Sequence, residues 1–156
     1  MVNTLSKNTK IVPSLLPDLR TTNNTTVEGS WVDRQGFNDV MITVGLGVWG
    51  DTTTGGIDFA LQATNDTTAA ADAADADLSS TVAGAETVTG APASGYFARI
   101  NALTEDEQVY STDYIGDKRY LRVVMVANGN QSTGTDTHAD INLFNPQTAP
   151  VSYNNA

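Results

Sequence analysis

Side chains alternate between two faces along residues 40–49, VMITVGLGVW, the most regular segment of the sequence. A two-residue period puts apolar side chains on the face that a strand turns toward a core: Val40, Ile42, Val44, Leu46 and Val48. The opposite face carries Met41, Thr43, Gly45, Gly47 and Trp49. An amphipathic helix needs apolar residues at every third or fourth position, so this segment predicts a β-strand.

Composition extends this prediction to the whole chain. The 156 residues include 22 Thr and 14 Val but only 4 Glu and 3 Lys. β-branched residues favour strands, whereas exposed helix positions draw on residues such as Glu and Lys. The chain has no cysteine, which excludes disulfides and thiolate chemistry. Its formal charge of −10, with scattered cations, argues against a nucleic-acid partner.

Further strands are expected at intervals along the chain. Residues 57–64 alternate, with Ile57, Phe59, Leu61 and Ala63 inward and Asp58, Ala60, Gln62 and Thr64 outward. This segment is expected to pair with 40–49 as an antiparallel neighbour. Residues 120–127 are apolar on both faces toward their end, which predicts a central strand. Shorter candidates are 27–32, 87–89, 96–100, 109–114 and 137–144. About eight short strands separated by turn residues predict an all-β fold, a two-sheet antiparallel β-sandwich or jelly roll.

The two ends of the chain lack such periods. Residues 1–26 contain Pro13 and Pro17 and predict an extended N-terminal arm, followed by a sandwich domain over 27–144 and a short C-terminal tail over 145–156. The arm either reaches a neighbouring subunit or wraps locally along a sheet edge. Its apolar residues, together with one tryptophan, are the candidate contacts to another subunit: Ile11, Val12, Leu15, Leu16, Leu19 and Trp49.

Charged residues give little support for chemistry at a site. Asp72, Asp75 and Asp77 lack the spacing of a calcium loop, and the stretch 67–80 is interpreted as a solvated loop. His138 shares one strand face with Asp136 and Asp140, which indicates a solvated face. Glu105 and Glu107 lie in a predicted turn. No nucleophile elbow or phosphate-binding motif is present, so we expect no enzyme, no metal and no cofactor.

Aromatic and cationic residues leave alternatives open. The aromatic set fills the core or a subunit interface, or it forms a sugar-stacking platform: Trp31, Trp49, Tyr96, Tyr110 and Tyr114. Lys118, Arg119 and Arg122 are expected to pair with nearby Asp side chains or to bind an anionic ligand. No secretory signal is evident at the N-terminus, and the most apolar window, 40–49, is too short to cross a membrane.

Three segments of the chain resemble a known kind of protein. They are FNDVMITVG at 37–45, GGIDFALQATND at 55–66 and YIGDKRYLRV at 114–123. Their order and spacing are similar to those of small β-sandwich proteins encoded among the head genes of tailed bacteriophages, the capsid decoration or cement proteins. The similarity covers about residues 27–144 and includes no catalytic signature.

The resemblance implies a structural role on the outside of a virion. It implies the major capsid protein as partner, a homo-oligomeric state, assembly in the host cytoplasm and location on the capsid exterior, with no membrane partner. Deletion of residues 1–26 is then expected to leave a folded sandwich that no longer attaches to capsids. The alternative is a carbohydrate- or receptor-binding β-sandwich module of a phage tail or head spike; a glycan-cleaving enzyme is a third, weaker hypothesis.

Overall fold

A computed structural model describes residues 8–49, 55–65, 96–102, 104–129, 131 and 133–148. Within them the chain forms nine strands and no helix. The strands are β1 Thr9–Arg20, β2 Thr25–Glu28, β3 Val32–Asp33, β4 Phe37–Leu46, β5 Gly55–Thr64, β6 Ala98–Ile100, β7 Val109–Tyr114, β8 Tyr120–Gly129 and β9 Thr135–Pro146. None of the described residues belongs to a helix that is long and apolar enough to cross a membrane.

The strands form two antiparallel sheets that pack against each other. The four-stranded sheet has the order β1-β9-β4-β7, and the five-stranded sheet has the order β2-β8-β5-β6, with β3 also paired to β8. Ile42 and Ile141 of the first sheet and Phe59 and Leu121 of the second are fully buried in one shared apolar core. The predicted two-sheet antiparallel β-sandwich is therefore confirmed.

Two of the long strands behave as their sequence patterns predict. In β4, Val40, Ile42, Val44 and Leu46 are all buried against the opposite sheet. β8 lies between β5 on one side and β2 and β3 on the other, so its predicted central position is confirmed. The alternation rule works because both strands lie in the middle of a sheet, where one face must be apolar.

The expected pairing of β4 with β5 is wrong. β4 pairs with β7 and β9, whereas β5 pairs with β6 and β8 in the other sheet. The outward positions of β5 also differ from expectation, since Asp58, Gln62 and Thr64 are all at most 6 % exposed. Polar side chains from the neighbouring strand cover them: Arg122 Nε donates to Gln62 at 2.6 Å, and Asn128 donates to Asp58 at 2.8 Å.

Most of the predicted N-terminal arm is a strand of the sandwich. β1 pairs with β9 from Thr9 opposite Phe144 to Arg20 opposite Thr135, so the local alternative, a chain lying along a sheet edge, is what the structure shows. Pro13 lies in β1 without breaking it because an edge strand bonds on one side only. The register of β1 against β9 shifts on both sides of Leu15. Inward and outward side chains therefore do not alternate regularly along β1, and its sequence shows no two-residue period.

The C-terminal tail is described only at its beginning. β9 continues to Pro146, two residues into the predicted tail, and Gln147 donates its backbone N–H to the carbonyl of Gly36 at 2.8 Å. Residues 149–156 of the tail, the candidate strand 87–89 and the predicted loop 67–80 lie outside the described residues.

Ser14 joins the edges of the two sheets. β2 and β3 leave a gap along β8, where the backbone N–H of Val123 donates to Ser14 Oγ at 2.9 Å. Ser14 Oγ donates to the carbonyl of Ser30 at 3.0 Å, and the N–H of Ser30 donates back to the carbonyl of Ser14 at 2.7 Å. In the same gap Gly29 donates its backbone N–H to the carbonyl of Val123, so both backbone groups of Val123 have partners. β1 is therefore fixed to both sheets.

Replacing the Ser14 hydroxyl tests this connection. Ser14→Ala leaves the buried Val123 N–H without its acceptor and is expected to lower the free energy of unfolding by about 1–3 kcal/mol. Ser30→Ala is the matched control, since the Ser30 side chain is exposed and only its backbone takes part. Denaturant unfolding measures both variants. Equal stability of the two would show that the hydroxyl does not connect the sheets.

Candidate attachment surface

Three large apolar side chains stand exposed along β1. Ile11 is 61 % exposed, Leu16 is 67 % exposed and Leu19 is 53 % exposed. These residues are called the β1 rim below. Isolated exposed apolar residues are ordinary, but three on one edge strand form a surface that a partner can cover. Because β1 is paired along its length with β9, the rim is presented by the body of the sandwich.

The other candidate contacts on β1 face inward. Leu15 is 3 % exposed and belongs to the core, and Val12 is partly buried against the same core. The inward turn follows from the register, because Val12 and Leu15 lie opposite Ile141 and Ala139, which are buried on β9. The predicted contact set is thereby divided into three rim residues and two residues that stabilise the fold.

Trp49 lies in the core and is not available to a partner in this fold. It is 4 % exposed, and its backbone N–H donates to Asp106 Oδ2 at 3.0 Å. Val48, which the alternation placed inward, is 64 % exposed. Trp49 is thus buried and Val48 exposed, the reverse of what alternation predicts. The reason is that β4 ends at Leu46, and beyond Gly47, whose N–H donates to the carbonyl of Asp136, the two-residue period of a strand no longer applies.

The outward face of the four-stranded sheet is acidic. Across β4, β7 and β9 it carries Asp39, Asp113, Asp136 and Asp140, and the sequences of these three strands contain no lysine or arginine. All four lie on the side away from the core, since the residue that follows each of them along its strand is buried. Below, this surface is called the acidic face. Its charge repels other anionic surfaces.

His138 has a packing role on the acidic face. It lies directly opposite Gly45 in the register of β4 and β9, and a Cβ at Gly45 would be 2.0 Å from His138 Cε1. The imidazole thus occupies the space that a side chain on β4 would fill. The prediction that His138, Asp136 and Asp140 share one face of a strand agrees with the alternating burial of β9.

A shallow groove of about 350 Å³ opens at one end of the acidic face. Met41, Ile115 and Phe144 provide apolar walls, and Asp39 and Asp113 provide carboxylates. Asp39 already accepts a hydrogen bond from Asn145. Ile115, at 73 % exposure, is the most exposed large apolar residue among those described.

The arginines of the five-stranded sheet have partners within the chain. Arg119 makes a two-pronged contact with Asp33 at 2.9 and 2.7 Å, as the sequence predicts for this cation. Arg122 pairs with Glu28 at 2.9 Å and lies 4.5 Å from the centre of the Trp31 ring. The Arg119 hydrogen bond lowers the pKa of Asp33. These contacts favour the structural interpretation of the cluster over an anion site.

The aromatic residues do not form one exposed patch. Trp49, Tyr96 and Tyr114 are each at most 6 % exposed, and Trp31 is partly covered by Arg122. Tyr110 is half-buried and donates its hydroxyl to the carbonyl of Glu105 at 2.7 Å. A sugar-stacking platform needs exposed rings side by side, so the positions of these five rings favour the core interpretation.

The acids of the turn at 104–108 hold loops in place. Glu105 Oε2 accepts the backbone N–H of Asn101 at 2.9 Å and that of Ala102 at 3.1 Å. Asp106 Oδ2 accepts the backbone N–H of Trp49, which connects this turn to the segment that follows β4. Within the described ranges no three His, Asp or Glu side chains gather as they would around a metal ion. The predicted loop acids lie outside those ranges: Asp72, Asp75 and Asp77.

Asp58 is a buried acid that alternation alone places on the surface. It is 2 % exposed, with Arg99 Nε at 3.4 Å and Asn128 Nδ2 at 2.8 Å. Burial raises the pKa of Asp58, and Arg99 and Asn128 only partly oppose this effect. Tyr96 is buried as well, and this burial, together with the nearby charge of Asp58, raises the pKa of Tyr96.

A pH series on Asp58→Asn tests this burial. Because the folded-state pKa of Asp58 is raised, ionisation costs stability, and the parent chain loses that stability as pH rises from the unfolded value of 3.8 through the folded pKa. Asp33, whose pKa is lowered, contributes the opposite slope but is present in both proteins. Asp58→Asn should therefore gain stability relative to the parent as pH rises from about 3 to 7 in urea titrations. A difference that does not change with pH would contradict the raised pKa.

Comparison of the chain with protein-family models, with curated proteins and with solved structures finds no match.

Proposed function

We propose that this chain is a structural virion protein that decorates a tailed-phage capsid and stabilises it by bridging major capsid protein subunits. The observation that carries the proposal is the β1 rim, where Ile11, Leu16 and Leu19 are all more than half exposed on a strand that is paired along its length. The three segments that resemble decoration proteins support the same role.

The β1 rim supplies the apolar part of the contact. Covering a large aliphatic side chain is worth about 1.5–3 kcal/mol, so three such side chains contribute several kcal/mol in each copy. Because β1 is already ordered by its pairing with β9, attachment does not require a disordered segment to fold. Many copies on one shell then make modest individual contacts effective.

The acidic face supplies the electrostatic part. Asp136 lies opposite Leu19 in the register of β1 and β9, so rim and acidic face meet along one border. A capsid surface with basic residues beside an apolar patch would complement both. We expect the contact to weaken as salt concentration rises, since exposed charges are screened within about 10 Å at 0.1 M ionic strength.

Cosedimentation with capsids tests the proposal. Purified chain is mixed with undecorated capsids of a tailed phage whose genome encodes it, and the bound copies are counted after a gradient. The triple variant Ile11→Ser, Leu16→Ser and Leu19→Ser should lose at least tenfold in affinity while keeping its fold, since about 1.4 kcal/mol corresponds to that factor.

A control variant separates the rim from general surface hydrophobicity. Val48→Ser removes an apolar side chain that is 64 % exposed but lies just beyond the end of β4, a strand that β9 separates from β1. This variant should bind capsids as the parent does. Unchanged occupancy with the triple variant would remove the rim from the mechanism, and absence of binding by the parent would refute the proposed function.

A further inference from the structure

The edges of the two sheets are protected to different degrees. β6 is three residues long, and the edge formed by β2 and β3 consists of pieces of four and two residues. β1 contains Pro13 and Pro17, and its Ser14 carbonyl is already bonded to Ser30. Prolines, short strands and occupied carbonyls all hinder pairing with another chain. Among the described strands, β7 is the longest edge without proline.

The hydrogen-bond pattern of β7 shows which of its groups face the open edge. Leu46 donates its N–H to the carbonyl of Gln108, next to the registered pair Gly45 and Val109. Antiparallel ladders alternate between bonded and non-bonded pairs, so Tyr110, Thr112 and Tyr114 direct their backbone groups toward β4. Their odd-numbered neighbours therefore direct backbone N–H and C=O groups away from β4, toward the edge.

The side chains of those odd-numbered residues form a stripe along the edge. The stripe can pair with the same stripe of a second copy that runs in the opposite direction. From one end to the other it reads Val109, Ser111 and Asp113 within β7 and Ile115 one residue beyond it, all of them exposed. Ile115 lines the same groove as Asp113, which places it on the same side of the sheet. Val109 at 69 % and Ile115 at 73 % are the two most exposed large apolar residues described, and they lie at opposite ends. An antiparallel copy centred on Thr112 places Val109 against Ile115 and Ser111 against Asp113.

Charge selects this register over its neighbours. A pairing centred on Asp113 would place two aspartates against each other, and a pairing centred on Ser111 would place Asp113 against Val109. The pairing centred on Thr112 gives each Asp113 a serine hydroxyl and each apolar end an apolar partner. Like charges directly opposite each other destabilise a sheet, whereas apolar and hydrogen-bonding cross-strand pairs stabilise it.

We infer that the β7 edge is the interface of a two-fold dimer of this chain, in which two β7 strands pair antiparallel about Thr112. The two four-stranded sheets then join into one eight-stranded sheet with both acidic faces on the same side. A two-fold interface uses one surface on both copies, which the β7 stripe satisfies. This inference concerns pairing between copies and does not depend on what the β1 rim attaches to.

Cross-linking tests the register directly. In the proposed dimer Val109 and the partner's Ile115 form a bonded antiparallel pair with Cα atoms about 5.5 Å apart, a separation that a disulfide spans. The double variant Val109→Cys, Ile115→Cys should therefore form a covalent dimer on mild oxidation, without background from the parent, which has no cysteine. Val109→Cys alone is the matched control, since its two thiols would lie about 20 Å apart.

Charge variants test the same register without a covalent bond. Ser111→Lys places a cation opposite the partner's Asp113 twice per dimer, and Ser111→Glu places an anion there. We expect the dimer dissociation constant from sedimentation equilibrium to differ about tenfold, with the lysine variant tighter. The control variants Thr26→Lys and Thr26→Glu on β2 should not differ by more than about twofold, because Thr26 is exposed on the other sheet.

The outcomes separate the proposal from its alternatives. A covalent dimer from the double variant, with the lysine variant tighter than the glutamate variant, supports the two-fold pairing. A chain that stays monomeric at millimolar concentration with no cross-link overturns it. A larger oligomer without the cross-link also overturns it, because such an assembly must use another surface. Circular dichroism confirms that each variant is folded.

Discussion

A chain that lacks residues 1–26 is expected to lose its fold at room temperature. The deletion removes β1 and with it the buried Leu15, whose loss alone is worth about 2–5 kcal/mol on the scale of a Leu→Ala change. It also removes the Ser14 hydroxyl from Val123, at about 1–3 kcal/mol, and the backbone bonds to β9. The total is comparable with the whole stability of a typical domain, about 5–15 kcal/mol. The deletion therefore cannot serve as an attachment test, contrary to the expectation from sequence.

Circular dichroism and thermal unfolding measure the effect of this deletion. The matched control is deletion of residues 1–7, which leaves Thr9–Arg20 whole, so the difference between the two shortened chains is the effect of removing residues 8–26. A shortened chain without residues 1–26 that still shows a cooperative transition near the parental temperature would contradict the role assigned to β1.

Gly29→Ala is expected to destabilise the chain strongly although it adds only one methyl group. A Cβ at this position would lie 2.4 Å from Ser14 Oγ, 2.7 Å from the Val123 carbonyl oxygen and 2.8 Å from the Ser14 carbonyl oxygen. Two of these neighbours are backbone atoms, so the strands must separate. Overpacking of about 1–3 kcal/mol, together with the weakened Ser14 hydrogen bonds, gives a loss of about 2–5 kcal/mol in the free energy of unfolding.

Denaturant unfolding measures this loss, and the double variant with Ser14→Ala identifies its origin. Removing the Ser14 hydroxyl relieves the shortest of the three contacts, so the second substitution should cost less in the Gly29→Ala background than alone. Ser30→Ala, at the adjacent exposed position, should stay within about 0.5 kcal/mol of the parent. A Gly29→Ala chain as stable as the parent would show that β1 can move away from β8 at no cost.

The strands that the sequence predicts best are those with one apolar face in the centre of a sheet. β4, β8 and β9 carry that alternation, and their predicted segments overlap the observed ones. Pairing between strands is a different matter. Alternation states which face of β4 and β5 is buried but not which sheet each strand joins, so their neighbours along the chain are a poor guide to their partners.

β1 and Trp49 show where local patterns fail for identifiable reasons. In β1 the prolines and the two register shifts hide a strand that long-range pairing with β9 stabilises. At Trp49 the strand has already ended, so the period that assigned it outward no longer holds. Asp58 is covered by side chains of neighbouring strands, which only the three-dimensional arrangement brings together.

The candidate surfaces are likewise predicted from the sequence only in part. The sequence names Ile11, Leu16 and Leu19 as contacts, and the structure leaves these three exposed while it buries Leu15 and Trp49. The acidic face needs the pairing of β4, β7 and β9, because its four aspartates come from these three strands, which the pairing brings side by side. The complementarity of the β7 stripe depends on knowing that β7 is an edge.

Imaging of the intact particle tests the proposed decoration most directly. An electron cryomicroscopy map of virions from a phage that encodes this chain should show the sandwich on the outer surface of the shell, with β1 turned toward the major capsid protein. Density for the sandwich only on the tail or a spike, shell surfaces without it, or β1 turned toward solvent would each contradict capsid decoration through the β1 rim.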